Sequence, residues 1–168
     1  VGGRRDITRV TAAAMADRIE TPISLPAGAP YGAIEINADK CTLCLACVSL
    51  CPTGALGDHP DRPEVQFTEN ACVQCGICES TCPETAITLK PQLDLSKDAL
   101  SPRALHGEEP FECVQCGRPF GVASTINRIV EKLENLHWMY TNSDNVQLIK
   151  MCDDCRVKAQ YHGDNSPM

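Results

Sequence analysis

Residues 41–52 read CTLCLACVSLCP, and residues 72–83 read CVQCGICESTCP. The two stretches lie 31 residues apart, and each contains the spacing C-x2-C-x2-C-x3-C-P. The similarity extends outward on both sides, because residues 36–56 and 67–87 align over their whole length without a gap. This internal repeat predicts two copies of one local structure.

The spacing of the repeated cysteines is typical of iron–sulfur ligands. Three cysteines two residues apart let a tight loop wrap one face of an iron–sulfur cube, and a fourth that follows a short helical turn points away from that cube. Zinc motifs usually pair two C-x2-C knuckles, and a disulfide framework fits a small secreted domain better than an unvaried repeat. The repeat therefore predicts two [4Fe–4S] clusters.

Residues 33–90, with both motifs complete, resemble the bacterial-type 2[4Fe–4S] ferredoxin family. In two-cluster ferredoxins the fourth cysteine of each motif ligates the other cluster. This predicts one cluster held by Cys41, Cys44, Cys47 and Cys82, and a second held by Cys72, Cys75, Cys78 and Cys51. The family carries electrons one at a time and does no substrate chemistry, so the resemblance implies an electron carrier and not an enzyme.

The resemblance also extends beyond the repeat. The whole chain, from VGGRR at residues 1–5 to MCDDCRVKAQYH at residues 151–162, resembles the C-terminal part of larger multi-cluster 4Fe–4S proteins. Such proteins are commonly encoded beside molybdenum-dependent formate dehydrogenases. The resemblance implies a domain or subunit that serves a redox enzyme of this kind.

Four further cysteines form a third candidate site, composed of Cys113-x2-Cys116 and Cys152-x2-Cys155. Two C-x2-C pairs from separate segments are typical of a four-thiolate structural zinc site. The first pair repeats the CVQCG that begins at Cys72, but RPFG follows where a cluster motif would have its third cysteine. We therefore expect zinc, with a third iron–sulfur cluster, a single rubredoxin-like iron and disulfides as the alternatives.

The predicted fold class is α+β. A two-cluster ferredoxin-like domain with a pseudo-two-fold, short antiparallel strands and short helices is expected to precede a small helical zinc-knuckle module. Strands are expected at 33–36, 65–67 and 86–89, and short helices near 48–50 and 79–81. The expected organisation is an N-terminal helix and linker at 1–32, the ferredoxin-like domain at 33–90, an extended linker at 91–110, the four-cysteine module at 111–162 and a tail at 163–168.

Helical periodicity outside the repeat predicts three longer elements. Residues 5–19 form an amphipathic pattern whose apolar face is expected to pack on a neighbour. A helix over 122–136 has Ser124 as its candidate N-cap, and a shorter helix begins near residue 143. The acidic run of Glu108, Glu109 and Glu112 is expected to be a solvated face.

The charge balance restricts the possible partners. Asp and Glu outnumber Lys and Arg by 22 to 15, and the formal charge of −7 would fall to about −13 with two oxidised clusters and one zinc bound. This disfavours nucleic acid and favours a redox partner with a basic docking patch. No run of about 18 apolar residues is present, so we expect no membrane span and a cytoplasmic location. The alternative function is an interaction or assembly module in which clusters and zinc are mainly structural.

Overall fold

The computed structural model describes residues 3–15, 21–136 and 143–163. The chain divides into two compact units. The first comprises Val1–Lys40, Leu45–His59 and Glu64–His106, and the second comprises Cys41–Cys44, Pro60–Pro63 and Gly107–Met168. The end of the predicted N-terminal helix, at residues 16–19, and the tail at 164–168 lie outside the described residues.

The first sheet of the first unit joins the outer ends of the two repeats. Numbered in chain order, its strands are β1 (Ile23–Ser24), β2 (Gly32–Ile36) and β5 (Ile87–Leu93), all antiparallel in the order β1-β5-β2. The strands predicted at 33–36 and 86–89 are confirmed. Strand β5 runs on to Leu93 because β1 and β2 both pair with it, so the start of the expected linker belongs to the sheet.

The second sheet has the order β3-β4-β6, formed by β3 (Leu56–Asp58), β4 (Glu64–Phe67) and β6 (Arg103–Gly107). Strand β4 was predicted, whereas β3 is too short to show an alternating pattern. Strand β6 lies in the segment expected to be a linker, which also contains a 3₁₀ turn at Asp98–Leu100. Ile34, Val65 and Phe67 are almost fully buried and form the centre of this unit.

Two short helices form close to the predicted positions, and each begins one residue before the third cysteine of its motif: α2 (Ala46–Ser49) and α3 (Ile77–Thr81). The two motifs also have closely similar backbone conformations. Left-handed φ angles recur at positions 31 residues apart, in the pairs Leu43 and Gln74 (50° and 54°), Leu45 and Gly76 (58° and 77°), and Gly54 and Thr85 (64° and 48°). Because L side chains rarely adopt this conformation, three matched pairs indicate the same loop geometry in both copies.

The N-terminal helix α1 (Arg4–Met15) forms as predicted, but its expected packing is wrong. Ile7, Val10 and Met15 on its apolar face are 53%, 69% and 82% exposed. The helix is held instead by arginines, since Arg9 is buried and donates a hydrogen bond of 2.9 Å to the carbonyl of Ser96. Directed hydrogen bonds from guanidinium groups thus replace the apolar contact that the periodicity suggested.

The second unit combines a hairpin with three helices. Strands β7 (Pro110–Glu112) and β8 (Pro119–Val122) pair antiparallel, and α4 (Ala123–Leu136), α5 (Ser143–Ile149) and α6 (Asp153–Gly163) follow. Helices α4 and α5 were predicted, whereas the hairpin was not. Ile126 and Val130 are buried, which confirms the inner face of α4, although Ile129 is 42% exposed.

The start of α4 differs from the prediction at its N-cap. The helix begins at Ala123, so Ser124 lies inside the first turn, and its hydroxyl is buried without a described partner. A carboxylate oxygen of Glu108 instead accepts a hydrogen bond of 3.1 Å from the Ser124 N–H. An acidic group at this end also interacts favourably with the helix dipole. Glu108 therefore has a structural role, and only Glu109 and Glu112 of the acidic run are exposed.

None of the helices in the described ranges has the length and apolar character needed to cross a membrane.

Candidate metal centres

All twelve cysteines are free thiols, and four of them surround one space in the first unit. We name this space, which the four thiols and several apolar side chains border, the cluster cavity. Apolar side chains, including Ile34, Phe67 and Leu89, form much of its wall. Its thiols come from three cysteines of the second motif and the last cysteine of the first, namely Cys72, Cys75, Cys78 and Cys51.

Backbone N–H groups point at the sulfur atoms of the cluster cavity. Burial tends to raise the pKa of the Cys51 thiol, but the N–H groups of Leu56, Thr53 and Ala55 outweigh it and lower that pKa. The N–H of Gln74 lies 3.5 Å from the Sγ of Cys72. Such donors stabilise a thiolate, which is the form that binds a metal.

The cysteines of the cluster cavity also repel one another as thiolates. Burial first, and then the negative charges of Cys72, Cys75 and Cys51, raise the pKa of Cys78 to about 11, although the N–H of Glu79 partly opposes this. Because the other three charges all act on Cys78, the four thiols lie close enough to interact electrostatically. A cationic iron core would remove the penalty, because metal binding favours deprotonated ligands. The donor set therefore fits an iron–sulfur cluster.

The other four predicted ligands are divided between the two units. Cys41 and Cys44 belong to the second unit, while Cys47 and Cys82 belong to the first. The Sγ of Cys82 accepts a hydrogen bond of 3.3 Å from the N–H of Ala86, four residues later. In the other motif the matching residue, Ala55, directs its N–H at Cys51. The shared cluster of these four cysteines stays a prediction.

A glutamine beside the cluster cavity was not predicted. The side-chain amide nitrogen of Gln74 lies 3.4 Å from the Sγ of Cys72 and 2.8 Å from the carbonyl oxygen of Ala33. Room for it depends on Gly32, since a Cβ there would lie 2.6 Å from the Gln74 Cδ and 2.7 Å from its Nε2. The only signal in the sequence was the contrast with Leu43, which is the matching residue of the first motif.

Arg5 is a second residue that sequence reasoning missed. Its guanidinium donates hydrogen bonds to the carbonyl oxygens of Asn70 (2.7 Å) and Pro30 (2.5 Å), and to that of the predicted ligand Cys72. It also stacks on the ring of Tyr31, with 4.2 Å between the guanidinium carbon and the ring centroid. These contacts anchor α1 to the loop that carries Cys72. The twin arginines at residues 4 and 5 offered no indication of such a role.

The third predicted site is assembled in the second unit. The sulfur atoms of Cys113, Cys116, Cys152 and Cys155 all lie within 4.8 Å of one another, and three of these residues are buried. The Sγ atoms of Cys116 and Cys152 are 3.7 Å apart. A tetrahedral ion with bonds of about 2.3 Å separates its sulfur ligands by about 3.8 Å. This four-cysteine site therefore fits a single metal ion.

Two thiols of the four-cysteine site have pKa values that are shifted in opposite directions. Burial opposes ionisation of Cys113, but the N–H groups of Cys152, Cys116 and Gln115 prevail and lower its pKa to about 6. The Cys152 N–H lies 3.3 Å from that sulfur. Cys155, in contrast, donates to Cys116 and is buried, and these effects raise its pKa to about 12. Cys113 can therefore bind a cation as a thiolate, whereas the proton of Cys155 must be displaced when a cation binds.

Two arginines support the four-cysteine site from outside. Arg118 follows the first knuckle and forms an ion pair of 2.9 Å with Asp154 in the second, and its pKa is raised by this contact and by the Cys152 thiolate. Arg156 donates to the carbonyl oxygens of Leu148 (2.9 Å) and Met151 (3.1 Å) at the end of α5. The first contact joins the two knuckles, and the second fixes the turn that leads into Cys152.

Comparison with known families agrees with the first two motifs. Residues 40–87 match the family model of the 4Fe–4S dicluster domain. The match supports a ferredoxin-type iron–sulfur domain over this segment. The four-cysteine site lies beyond it. No curated protein matches the sequence.

Proposed function

We propose that this protein transfers electrons one at a time through two [4Fe–4S] clusters and has no substrate site of its own. Cys51, Cys72, Cys75 and Cys78 would hold one cluster, and Cys41, Cys44, Cys47 and Cys82 the other. The observation that carries the proposal is the cluster cavity, where four thiols and several backbone N–H groups face one space with apolar walls. Thiolate ligation, N–H···S bonds and burial are the means by which a protein sets the potential of such a cluster.

The four-cysteine site has a different proposed role. We propose that it binds one Zn²⁺, which closes the hairpin β7–β8 onto the start of α6. Four thiolates fill the coordination of a tetrahedral zinc ion, so no position is left for substrate. Zinc also has no redox chemistry, and the site would therefore stabilise the fold without carrying electrons.

The proposed partner is a redox protein. The chain carries a formal charge of −7 before any metal is bound, and bound clusters would add to it. A basic patch on the partner would complement this charge and accelerate their encounter at low salt. The resemblance to multi-cluster proteins suggests an enzyme such as formate dehydrogenase. A reducing cytoplasm would keep the thiols free for metal.

Metal analysis of anaerobically prepared protein tests this function directly. We expect about eight irons, eight inorganic sulfides and one zinc per chain, with broad visible absorption that bleaches on reduction. Electron paramagnetic resonance of the reduced protein should show [4Fe–4S]⁺ signals. Twelve irons would turn the third site into another cluster, and nine would indicate a single iron there. Protein that binds far fewer than eight irons, or whose clusters resist reduction, would overturn the electron-transfer function.

A further inference from the structure

The two cysteine motifs share their backbone but differ in one side chain next to a ligand. Leu43 and Gln74 hold the same position and nearly the same left-handed conformation. Both residues have a backbone N–H group. Only Gln74 adds side-chain N–H donors, since leucine has none.

The amide group of Gln74 has a defined orientation toward the ligand. Its nitrogen donates to the carbonyl oxygen of Ala33 at 2.8 Å, and a reversed amide would place two oxygens together there. The same nitrogen lies 3.4 Å from the Sγ of Cys72. Cys72 is 8% exposed, so this contact is largely shielded from water. Gly32 provides the space in which the amide lies.

Arg5 adds a positive charge on the same side. Its guanidinium donates to the carbonyl oxygen of Cys72 and is held there by two further carbonyl acceptors and by the ring of Tyr31. Arg5 and Gln74 thus approach one residue through different atoms, the carbonyl oxygen and the sulfur. Both bring positive partial or full charge to the same predicted ligand.

We propose that the two clusters have unequal reduction potentials, and that the cluster bound by Cys51, Cys72, Cys75 and Cys78 has the higher one because of Gln74 and Arg5. This inference rests on the proposed function. Reduction adds one electron from an external donor to a [4Fe–4S]²⁺ core, and no bond forms or breaks. Hydrogen bonds to a ligand sulfur and nearby positive charge stabilise the more negative, reduced core. The first electron that enters the protein therefore resides on this cluster.

The potentials of the loaded protein test the inference. Anaerobic voltammetry of the full chain should resolve two one-electron steps, and the paramagnetically shifted β-proton signals of Cys72 and Cys41 identify the cluster reduced in each step. For Gln74→Leu, which copies the first motif, we expect the ratio of reduced to oxidised cluster at Cys72 to fall about tenfold at a given potential. For a one-electron couple this equals a shift of about 59 mV downward. The potential of the other cluster should stay unchanged.

A matched substitution tests whether the loss of another partly buried glutamine changes the potentials in the same way. Gln66 also lies in the first unit and is partly buried, but its amide donates to Glu64. Gln66→Leu should leave both potentials in place. If Gln74→Leu keeps eight irons and both original potentials, the inference is overturned while electron transfer stands. If the unsubstituted protein reduces first at Cys41, the inference is equally overturned. Loss of iron from the unsubstituted protein would instead contradict the proposed function itself.

The charge contribution has its own pair of variants. Arg5→Gln should lower the potential at Cys72, and the shift should diminish at high salt because ions screen the lost charge. Arg4→Gln removes the same charge from an exposed neighbour on α1 and should have little effect. Arg5→Lys keeps the charge and should restore most of the potential. Equal shifts for Arg4→Gln and Arg5→Gln would show that Arg5 has no specific role.

Discussion

The cluster cavity and the four-cysteine site each gather four thiols, but they space those thiols differently. Those of the cavity border a space with apolar walls. At the four-cysteine site all sulfur atoms lie within 4.8 Å of one another, which leaves room for a single ion. Ligand number and type are the same in both, so the shape of the supporting loops is what would distinguish a cluster site from a single-ion site.

The loops differ for reasons that the sequence contains. In the cavity three of the cysteines lie in one loop, and the fourth comes from the other repeat. In the four-cysteine site two short knuckles face each other, and the Cys152 N–H already bonds to the Cys113 sulfur. Two facing knuckles can close around one ion, whereas a loop with three cysteines can surround one face of a cluster.

Removal of a cavity ligand should have the largest effect of the changes considered. For Cys72→Ala, which leaves no ligand atom at this position, we expect the iron content to fall from about eight to about four per chain, since one cluster loses a buried ligand. The zinc content should stay at one. Elemental analysis of anaerobically reconstituted protein measures both values. A variant that retains eight irons would show that Cys72 is not a cluster ligand.

Removal of a ligand from the smaller site should produce the opposite pattern. Cys155→Ser should abolish stoichiometric zinc binding and lower the melting temperature, while the iron content stays near eight, because structural zinc contributes directly to folding. The same elemental analysis, together with thermal melting followed by circular dichroism, provides the measurement. A loss of four irons would identify a third cluster, and a loss of one would identify a rubredoxin-like centre.

A smaller effect is expected from the ion pair that joins the knuckles. Arg118→Gln should weaken zinc binding by about tenfold. This effect is at the low end for groups that support metal ligands from outside, because Arg118 and Asp154 are both largely exposed. Competition with a chromophoric chelator measures the affinity. Arg128→Gln removes an equal charge from an exposed pair on α4 and serves as the control. Similar losses in both variants would point to net charge and not to the bridge.

The smallest effect should come from the carboxylate at the start of α4. Glu108→Gln keeps an acceptor for the Ser124 N–H but loses the charge near the helix N-terminus, so the free energy of unfolding should fall by about 0.3–1 kcal/mol. Urea denaturation of the zinc-loaded chain measures this change. Glu109→Gln makes the same charge change at an exposed position and should be neutral. An unchanged value for Glu108→Gln would mean that the hydrogen bond alone supports the helix.

Local patterns predicted the features that depend on nearby residues. The cysteine repeat indicated the two short helices and the strands around them, because metal-ligand spacing and strand alternation act over a few residues. The helix over 122–136 was equally visible from its apolar spacing. The gathering of Cys113 and Cys116 with Cys152 and Cys155 followed from a known zinc spacing.

Contacts between distant residues were not predictable in this way. Arg5 reaches Cys72 across 67 residues, and nothing in the local pattern distinguishes it from Arg4. Strand β6 forms because an edge of β4 is available, not because residues 103–107 alternate. Glu108 caps a helix that begins 15 residues later, whereas an acidic run beside a knuckle suggested only a solvated surface.

The left-handed backbone conformation of residues in the two loops affects how the metal enters. Leu43, Leu45, Gln74 and Thr85 hold a conformation that costs a residue with a Cβ about 1–2 kcal/mol each. In a newly synthesised chain without a cluster, few interactions compensate this cost. We therefore expect the nascent loops to remain open to an iron–sulfur donor, and the arriving cluster to act as the template on which they close.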